Sequence, residues 1–251
     1  LAAVRVHAAA TWAPSDASTT SLLALIIAGL GGLAAPLFVT VGGWVTVQSK
    51  WTLRKALIRV TFLSVAQILV NLSAPQRFDT FSPGVLTLFA LLYLTAPLWV
   101  RISKNIQATM FLGVGIFTLN QLLLSGHESL DWDDRTFVGG LFEHVKHLFL
   151  TGTYPLLPWI LFSLFGASLN NFNPSRRTLL VLGSGGCSIS AYFLYRSIQE
   201  KIPFAQPSGE AMLTFFPANT AFLIAALTGV LLIWAMLEHM DSKIGVHHLG
   251  R

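Results

Sequence analysis

The chain has 251 residues, of which 53% are hydrophobic and 11% are charged, and its formal net charge at pH 7 is +5. Soluble domains carry about 25% charged residues, so this composition excludes an ordinary water-soluble domain and predicts a polytopic membrane protein. The lysine and arginine residues lie in small groups beside apolar runs, where the positive-inside rule uses them. The positive charge is therefore no signal for nucleic-acid binding, and membrane lipids are the expected surroundings.

The apolar runs give the predicted elements in chain order, since a bilayer-spanning helix needs about 20 mainly apolar residues. A partial first span is predicted at 1–12. Seven clear spans follow it, at 21–47, 56–73, 84–100, 107–125, 147–169, 178–197 and 215–237. The predicted fold class is an all-α, polytopic transmembrane helical bundle, in which residues 1–251 form one transmembrane domain.

Charge is distributed unequally between alternate loops. Most lysine and arginine residues fall in one set, whereas most acidic residues fall in the other, above all in 126–146. The positive-inside rule places the basic set in the cytoplasm. The protein is therefore expected in a membrane, here a bacterial inner (cytoplasmic) membrane, with these parts cytoplasmic: loops 48–59, 101–106 and 170–177 and the C-terminal end.

Prolines and glycines interrupt two of the spans. Residues 151–166 read TGTYPLLPWILFSLFG, with two prolines at the entrance of a span. Either Pro155 begins the helix, with Tyr154 and Trp159 as interface anchors, or the entrance is broken and its freed backbone groups line a cavity. Residues 29–43, GLGGLAAPLFVTVGG, predict close helix packing through glycines and a kink at Pro36.

Polar amide side chains also fall within the spans. Because an unpaired amide facing lipid is costly, we expect them to form hydrogen bonds between helices. Asp and Glu are missing from every predicted midplane, which disfavours a proton-coupled transporter. The amides are Gln67, Asn71, Asn120, Gln121 and Asn219.

Four segments, in this order, resemble the multi-span acyltransferases related to heparan-α-glucosaminide N-acetyltransferase, in particular a bacterial branch of uncharacterised members. They span most of the chain from about residue 30 to 240. The resemblance implies a bundle of about ten or more helices and a segment of a longer chain, with further spans after residue 251. The segments are APLFVTVGGW with the basic KWTLRKALIR after it, FSPGVLTLFALLYL, YPLLPWILFSLFG and FFPANTAFLIAALTGVLLIWAMLE.

The same resemblance implies a chemistry. Acetyl-CoA or another acyl-CoA would be the donor, held from the cytoplasmic side, and a cell-envelope sugar or similar molecule would accept the acyl group. Acyl transfer needs a base of near-neutral pKa, and His7, near the end of the partial first span, is the first candidate. Heparan-type enzymes carry a catalytic histidine in the following loop, but residues 8–20 contain none. Either His7 substitutes for it or the chain does not catalyse this reaction.

A second cluster, FEHVKH, precedes the span 147–169, which is the sixth span when the partial first one is counted. In a helix, Glu143 and His147 are four residues apart and His144 and His147 three, so they share a face. They could form an acid/base couple or bind the acceptor. No recognised zinc spacing is present, so no metal is expected.

Basic residues beside the spans are candidates for binding the phosphates of CoA. Lys50 and Arg54 lie on one stripe, and Arg176 and Arg177 begin a helix after the capping sequence NNFNPS. Helix N-termini and arginines bind diphosphates well. Lipid headgroups would satisfy the same cations, so both interpretations stay open.

Two functions follow from these patterns, and the sequence leaves the enzyme status open. The chain is an integral-membrane acyltransferase, or it is a non-catalytic accessory subunit that retains the fold within a larger membrane protein complex. The missing loop histidine and the acidic segment 126–146 motivate the second.

Overall fold

The structure is a computed structural model, and it describes residues 22–124 and 131–244. Helices account for 76% of it, which confirms the predicted all-α bundle. The helices are α1 (Leu22–Gln48), α2 (Leu53–Ser73), α3 (Val85–Ile102), α4 (Ile106–Leu124), α5 (Trp132–Thr136), α6 (Leu141–Lys146), a π-helical turn (His147–Thr151), α7 (Leu156–Phe172), α8 (Arg176–Glu200) and α9 (Thr220–Ile244). The strands β1 (Ala205–Gln206) and β2 (Leu213–Thr214) form a short parallel pair.

Six helices of the described ranges are long and apolar enough to cross a membrane, namely α1, α2, α3, α4, α8 and α9. The protein is therefore an integral membrane protein. The predicted span 147–169 is not one helix, because the segments Leu141–Thr151 and Leu156–Phe172 meet at a bend of 44°. They make a seventh span only if the bent pair crosses as one unit. The partial span at 1–12 lies outside the described residues.

Helix α7 lies at the centre of the bundle and packs against α1, α3 and α4. Its Trp159, Phe162 and Ala167 are fully buried. The closest approach is to α1. A Cβ atom on Gly166 would lie 1.9 Å from the Thr40 carbonyl oxygen, and one on Gly43 would lie 2.2 Å from the Ser163 carbonyl oxygen. The glycine-rich segment 29–43 thus does pack closely, as predicted, at Gly43.

Helices at the edge of the bundle keep apolar faces uncovered. Only 11% of the membrane-spanning segment of α4, and the same share of that of α8, is buried within the chain. The corresponding share for α9 is 39%. Phe111 and Val114 of α4 and Ile198 of α8 are more than 60% exposed. In a bilayer these faces contact lipid tails, where apolar side chains have no penalty.

Of the predicted amides, Gln67 connects two helices, and Asn120 connects α4 to the loop before α9. Asn71 and Asn219 bond instead within their own helices or to adjoining loops, so the prediction of bonds between helices is wrong for them. Gln67 accepts from the Leu86 N–H of α3 at 3.2 Å, and Asn120 donates to the Ala218 carbonyl at 3.1 Å. Asn219 accepts from the Phe222 N–H at 2.8 Å. This cap starts α9 at Thr220 instead of at the predicted residue 215. Gln121 is exposed and bonds to no described residue, so the prediction is wrong for it.

Three loops cover one end of the bundle, and we call this end the capped end. Trp132 ties two of them together, because its indole N–H donates to the Arg77 carbonyl at 2.9 Å. The Trp132 ring also packs edge-on against Phe216 of the third loop, at 5.3 Å between ring centroids. The loops are 74–84, 131–155 and 201–219.

The opposite end, which we call the basic end, is formed by tight corners at 49–52, 103–105 and 173–175. Asn171, near the end of α7, donates to the Ser103 carbonyl at 3.0 Å and to its hydroxyl at 2.9 Å. Two corners of the predicted basic set therefore touch each other.

A cysteine-mapping experiment tests which end faces the cytoplasm. Cys187 is the only cysteine, so Cys187→Ser gives a cysteine-free background for Lys104→Cys at the basic end and Asp133→Cys at the capped end. In right-side-out membrane vesicles, an impermeant maleimide is expected to label position 133 at once and position 104 only after detergent is added. The reverse pattern would show that the basic end faces outward.

Candidate functional site

The candidate base His7 lies outside the described residues, as does the loop 8–20 after it. The geometry of the site therefore rests on the other predicted residues, which fall at the two ends of the bundle.

His147 is a buried structural residue of the capped end. Its Nε2 atom lies 2.9 Å from the Phe137 carbonyl oxygen, and its Nδ1 atom lies 2.8 Å from the Thr151 hydroxyl oxygen. A carbonyl can only accept, so Nε2 carries the proton, and in the neutral ring Nδ1 accepts from the hydroxyl. Both ring nitrogens are thus engaged in holding the π-helical turn against the preceding loop.

In the described part of the chain, no hydrogen bond joins His147 to Glu143 or His144, the other members of the cluster. A Glu143 carboxylate oxygen accepts from the Gly139 N–H at 2.7 Å and closes the turn before α6. The Nδ1 atom of His144 is buried, with no hydrogen-bond partner among the described residues. Among the residues that the structure describes, no group of three His, Cys, Asp or Glu side chains is placed to hold a metal ion.

Arg135 is a second buried residue that stabilises this loop. Its side chain is 1% exposed, and it donates to the Thr151 carbonyl at 3.3 Å. Burial lowers the pKa of Arg135, and the neighbouring Asp134 carboxylate acts in the opposite direction. A buried arginine was not predicted here, because its acidic neighbours in the sequence are typical of an exposed loop.

The four predicted phosphate ligands are exposed at the basic end. Lys50 and Arg54 lie at the corner between α1 and α2, whereas Arg176 and Arg177 occupy the first turn of α8. The predicted cap before α8 is confirmed, since the Ser175 hydroxyl accepts from the Thr178 N–H at 3.2 Å. None of the four cations forms an ion pair with another described residue. Their chemistry fits phosphate groups, but the described residues do not gather them into one cavity.

An acidic cleft at the capped end was not predicted. Its volume is about 530 Å³, and Arg77 is its one basic lining residue. Several carboxylates also shape the loops: Asp79 accepts from the Val138 N–H at 3.3 Å and from the Phe81 N–H at 3.4 Å. Asp133 differs, because its exposed carboxylate has no hydrogen bond within the described ranges. The four lining carboxylates belong to Asp79, Asp133, Asp134 and Glu143.

The helical backbone is broken at the entrance of α7. Leu157 has non-helical backbone angles (φ −95°, ψ 120°), and the Leu157–Pro158 peptide bond is cis. Of the two alternatives for this entrance, the break is therefore observed. The acidic cleft is lined by other residues, and a cavity lined by the break stays a prediction.

Aromatic rings pack around the break. Trp159 lies 4.9 Å from Tyr154 and 5.3 Å from Phe215, measured between ring centroids. Trp159 is 0% exposed, so its predicted role as an interface anchor is wrong. The indole is instead a core residue that joins α7 to the loop before α9.

Comparison with known proteins assigns neither a family nor a function to the chain. The chain matches no protein-family model, no curated protein and no solved structure. The fold and the positions of the charged side chains therefore carry the functional interpretation.

Proposed function

We propose that this chain is an integral-membrane acyltransferase, which takes an acyl group from an acyl-CoA at the basic end and passes it to an acceptor at the capped end. One observation carries the proposal: the two ends of the bundle present opposite charges. Exposed, unpaired cations lie at one end, and a cleft with four carboxylates lies at the other. An anionic donor and an amine-bearing acceptor would be attracted to opposite ends.

The donor half of the proposal rests on Arg176 and Arg177. Both are exposed in the first turn of α8, where unpaired backbone N–H groups and the helix dipole favour phosphate oxygens. Guanidinium groups bind phosphate with two parallel hydrogen bonds. Lys50 and Arg54 would add positive charge from the corner between α1 and α2.

The acceptor half rests on the acidic cleft. Its volume of about 530 Å³ suits a sugar-sized ligand, because small-molecule pockets measure about 300–1,000 Å³. The carboxylates favour an acceptor that carries an amine, such as an amino sugar of the cell envelope. Asp133, whose carboxylate is uncommitted, would bind that amine, and the acyl transfer itself would need a base such as His7.

A thermal-shift titration of the purified protein with acetyl-CoA and with CoA tests the donor half. A ligand that binds only the folded state adds about 2.7 kcal/mol of stability at 100 times its Kd. We expect a saturable shift that Arg176→Gln/Arg177→Gln weakens. The matched control Lys146→Gln/Lys201→Gln removes two exposed cations from the capped end and should leave the shift unchanged.

The second candidate is the non-catalytic accessory subunit of a larger membrane complex. Two observations favour it: both ring nitrogens of His147 serve the loop structure, and α4 and α8 are largely uncovered. If millimolar acetyl-CoA gives no shift in the unmodified protein, the donor half fails. Stoichiometric co-purification with a partner in mild detergent is then the expected result.

A further inference from the structure

Arg59 is held at a fixed place on the outside of α2. Its guanidinium carbon lies 4.8 Å from the centroid of the Tyr93 ring on the neighbouring helix α3. A cation over an aromatic face is attracted by the ring's negative face. Arg59 lies six residues after the start of α2, or about 9 Å along the helix at 1.5 Å per residue. A long cationic side chain this near the end of a membrane-spanning helix can reach the lipid headgroups, where an anionic phosphate would attract it.

Trp51 and Pro97 fix the position of Tyr93. Pro97 lies inside α3 and has no N–H, so it cannot donate to the Tyr93 carbonyl four residues earlier. The Trp51 indole N–H donates to that carbonyl instead, at 3.0 Å. The corner between α1 and α2 is thereby attached to the ring on which Arg59 rests. The surface around Arg59 is preorganised, which lowers the entropy lost on binding a ligand.

Two further cations lie on the same two helices, and the adjoining sequence carries no acidic residue. Lys55 lies one turn before Arg59 on α2, and Arg101 lies in the last turn of α3; both are exposed. Residues 48–60 and 99–112 contain no Asp or Glu. Within the described ranges, none of the three cations forms an ion pair.

Apolar side chains continue from the cations toward the middle of the bundle. Phe62, one turn after Arg59, is 71% exposed, and Leu98 of α3 is 69% exposed. A surface that changes from unpaired cations to exposed apolar groups matches an amphiphile with an anionic head and apolar tails. It matches a free phosphate ion less well, because the apolar part would then have no ligand group to contact.

We propose that this surface, formed by Lys55, Arg59, Arg101, Phe62 and Leu98, binds an anionic phospholipid. The lipid phosphate lies among the three cations, and its acyl chains lie along Phe62 and Leu98. The proposal is independent of acyl transfer, because it uses neither the first turn of α8 nor the acidic cleft.

Lipid titration of the full chain in neutral detergent tests this proposal. Phosphatidylglycerol and phosphatidylcholine with the same acyl chains are added separately, and bound lipid is counted by native mass spectrometry. Phosphatidylglycerol is expected to bind more tightly. Arg59→Gln should weaken its binding about fivefold, since each cation near an anionic lipid surface contributes on that scale. Lys55→Gln should act in the same direction, and Arg59→Lys should retain part of the affinity.

Lys146→Gln is the matched control, because it removes an exposed cation that belongs to neither proposed binding site. It should leave phosphatidylglycerol binding within twofold of the unmodified protein. An equal loss in Arg59→Gln and Lys146→Gln would overturn the proposal in favour of a general attraction between charges. Equal binding of the two lipids would also overturn it. Competition by millimolar inorganic phosphate would show a free-anion site instead of a lipid site.

Discussion

Gly166→Ala is expected to destabilise the folded bundle by about 1–3 kcal/mol, the range for overpacking a tight interior. The added Cβ atom would lie 1.9 Å from the Thr40 carbonyl oxygen of α1. That oxygen belongs to helical backbone and cannot rotate away as a flexible side chain could, so the two helices must separate. Reversible unfolding in mixed micelles, followed by the fluorescence of the seven tryptophans, measures the change.

Gly115→Ala is the matched control, because it makes the same substitution within helix α4. A Cβ atom there would meet no described atom within 4 Å. Alanine favours a helix over glycine by about 1 kcal/mol, so this variant should be neutral or more stable. If Gly166→Ala were as stable as Gly115→Ala, α1 and α7 would not be in close backbone contact.

Gly43→Ala should destabilise the same interface from the other side, since its Cβ atom would lie 2.2 Å from the Ser163 carbonyl oxygen. A single separation of α1 from α7 would relieve both clashes. We therefore expect the double variant to lose less stability than the sum of the two single variants, as is usual for neighbouring sites.

The spans themselves were predictable, because hydrophobic length is a local property of the sequence. Predicted 56–73, 84–100 and 178–197 correspond to Leu53–Ser73, Val85–Ile102 and Arg176–Glu200. The break in α7 was one of two open alternatives at Pro155 and Pro158, since two prolines allow either a capped start or a break. Which one forms depends on the rings that pack around Trp159, and two of these, Phe215 and Phe222, are distant in the sequence.

The candidate site was less predictable. His147 was selected by residue type and helical spacing, yet its hydrogen bonds to Phe137 and Thr151 stabilise a loop. The cleft joins Asp79 to Glu143, and no spacing rule relates residues so far apart. The one sign of the cleft in the sequence was the concentration of acidic residues in 126–146. That concentration predicts negative charge, but it does not predict a cavity.

Asn71→Leu is expected to destabilise the protein by about 2–4 kcal/mol, because each buried polar group left unpaired costs about 1–3 kcal/mol. Asn71 is 1% exposed. Its amide donates to the Thr80 carbonyl at 3.0 Å and to the Ser82 carbonyl at 2.9 Å, and its oxygen accepts from Gln67 at 2.9 Å. Leucine fills a similar volume but makes none of these bonds.

The loop that Asn71 holds is also one wall of the acidic cleft, so the loss of stability should appear in that loop first. Hydrogen exchange is expected to rise in residues 74–84 of Asn71→Leu while α9 stays protected. Gln121→Leu provides the control, because it makes the same kind of change at an exposed position on α4 with no described hydrogen bond. Leucine suits lipid better than glutamine, so Gln121→Leu should retain full stability and unchanged exchange. Equal behaviour of the two variants would mean that the amide of Asn71 does not anchor the cleft.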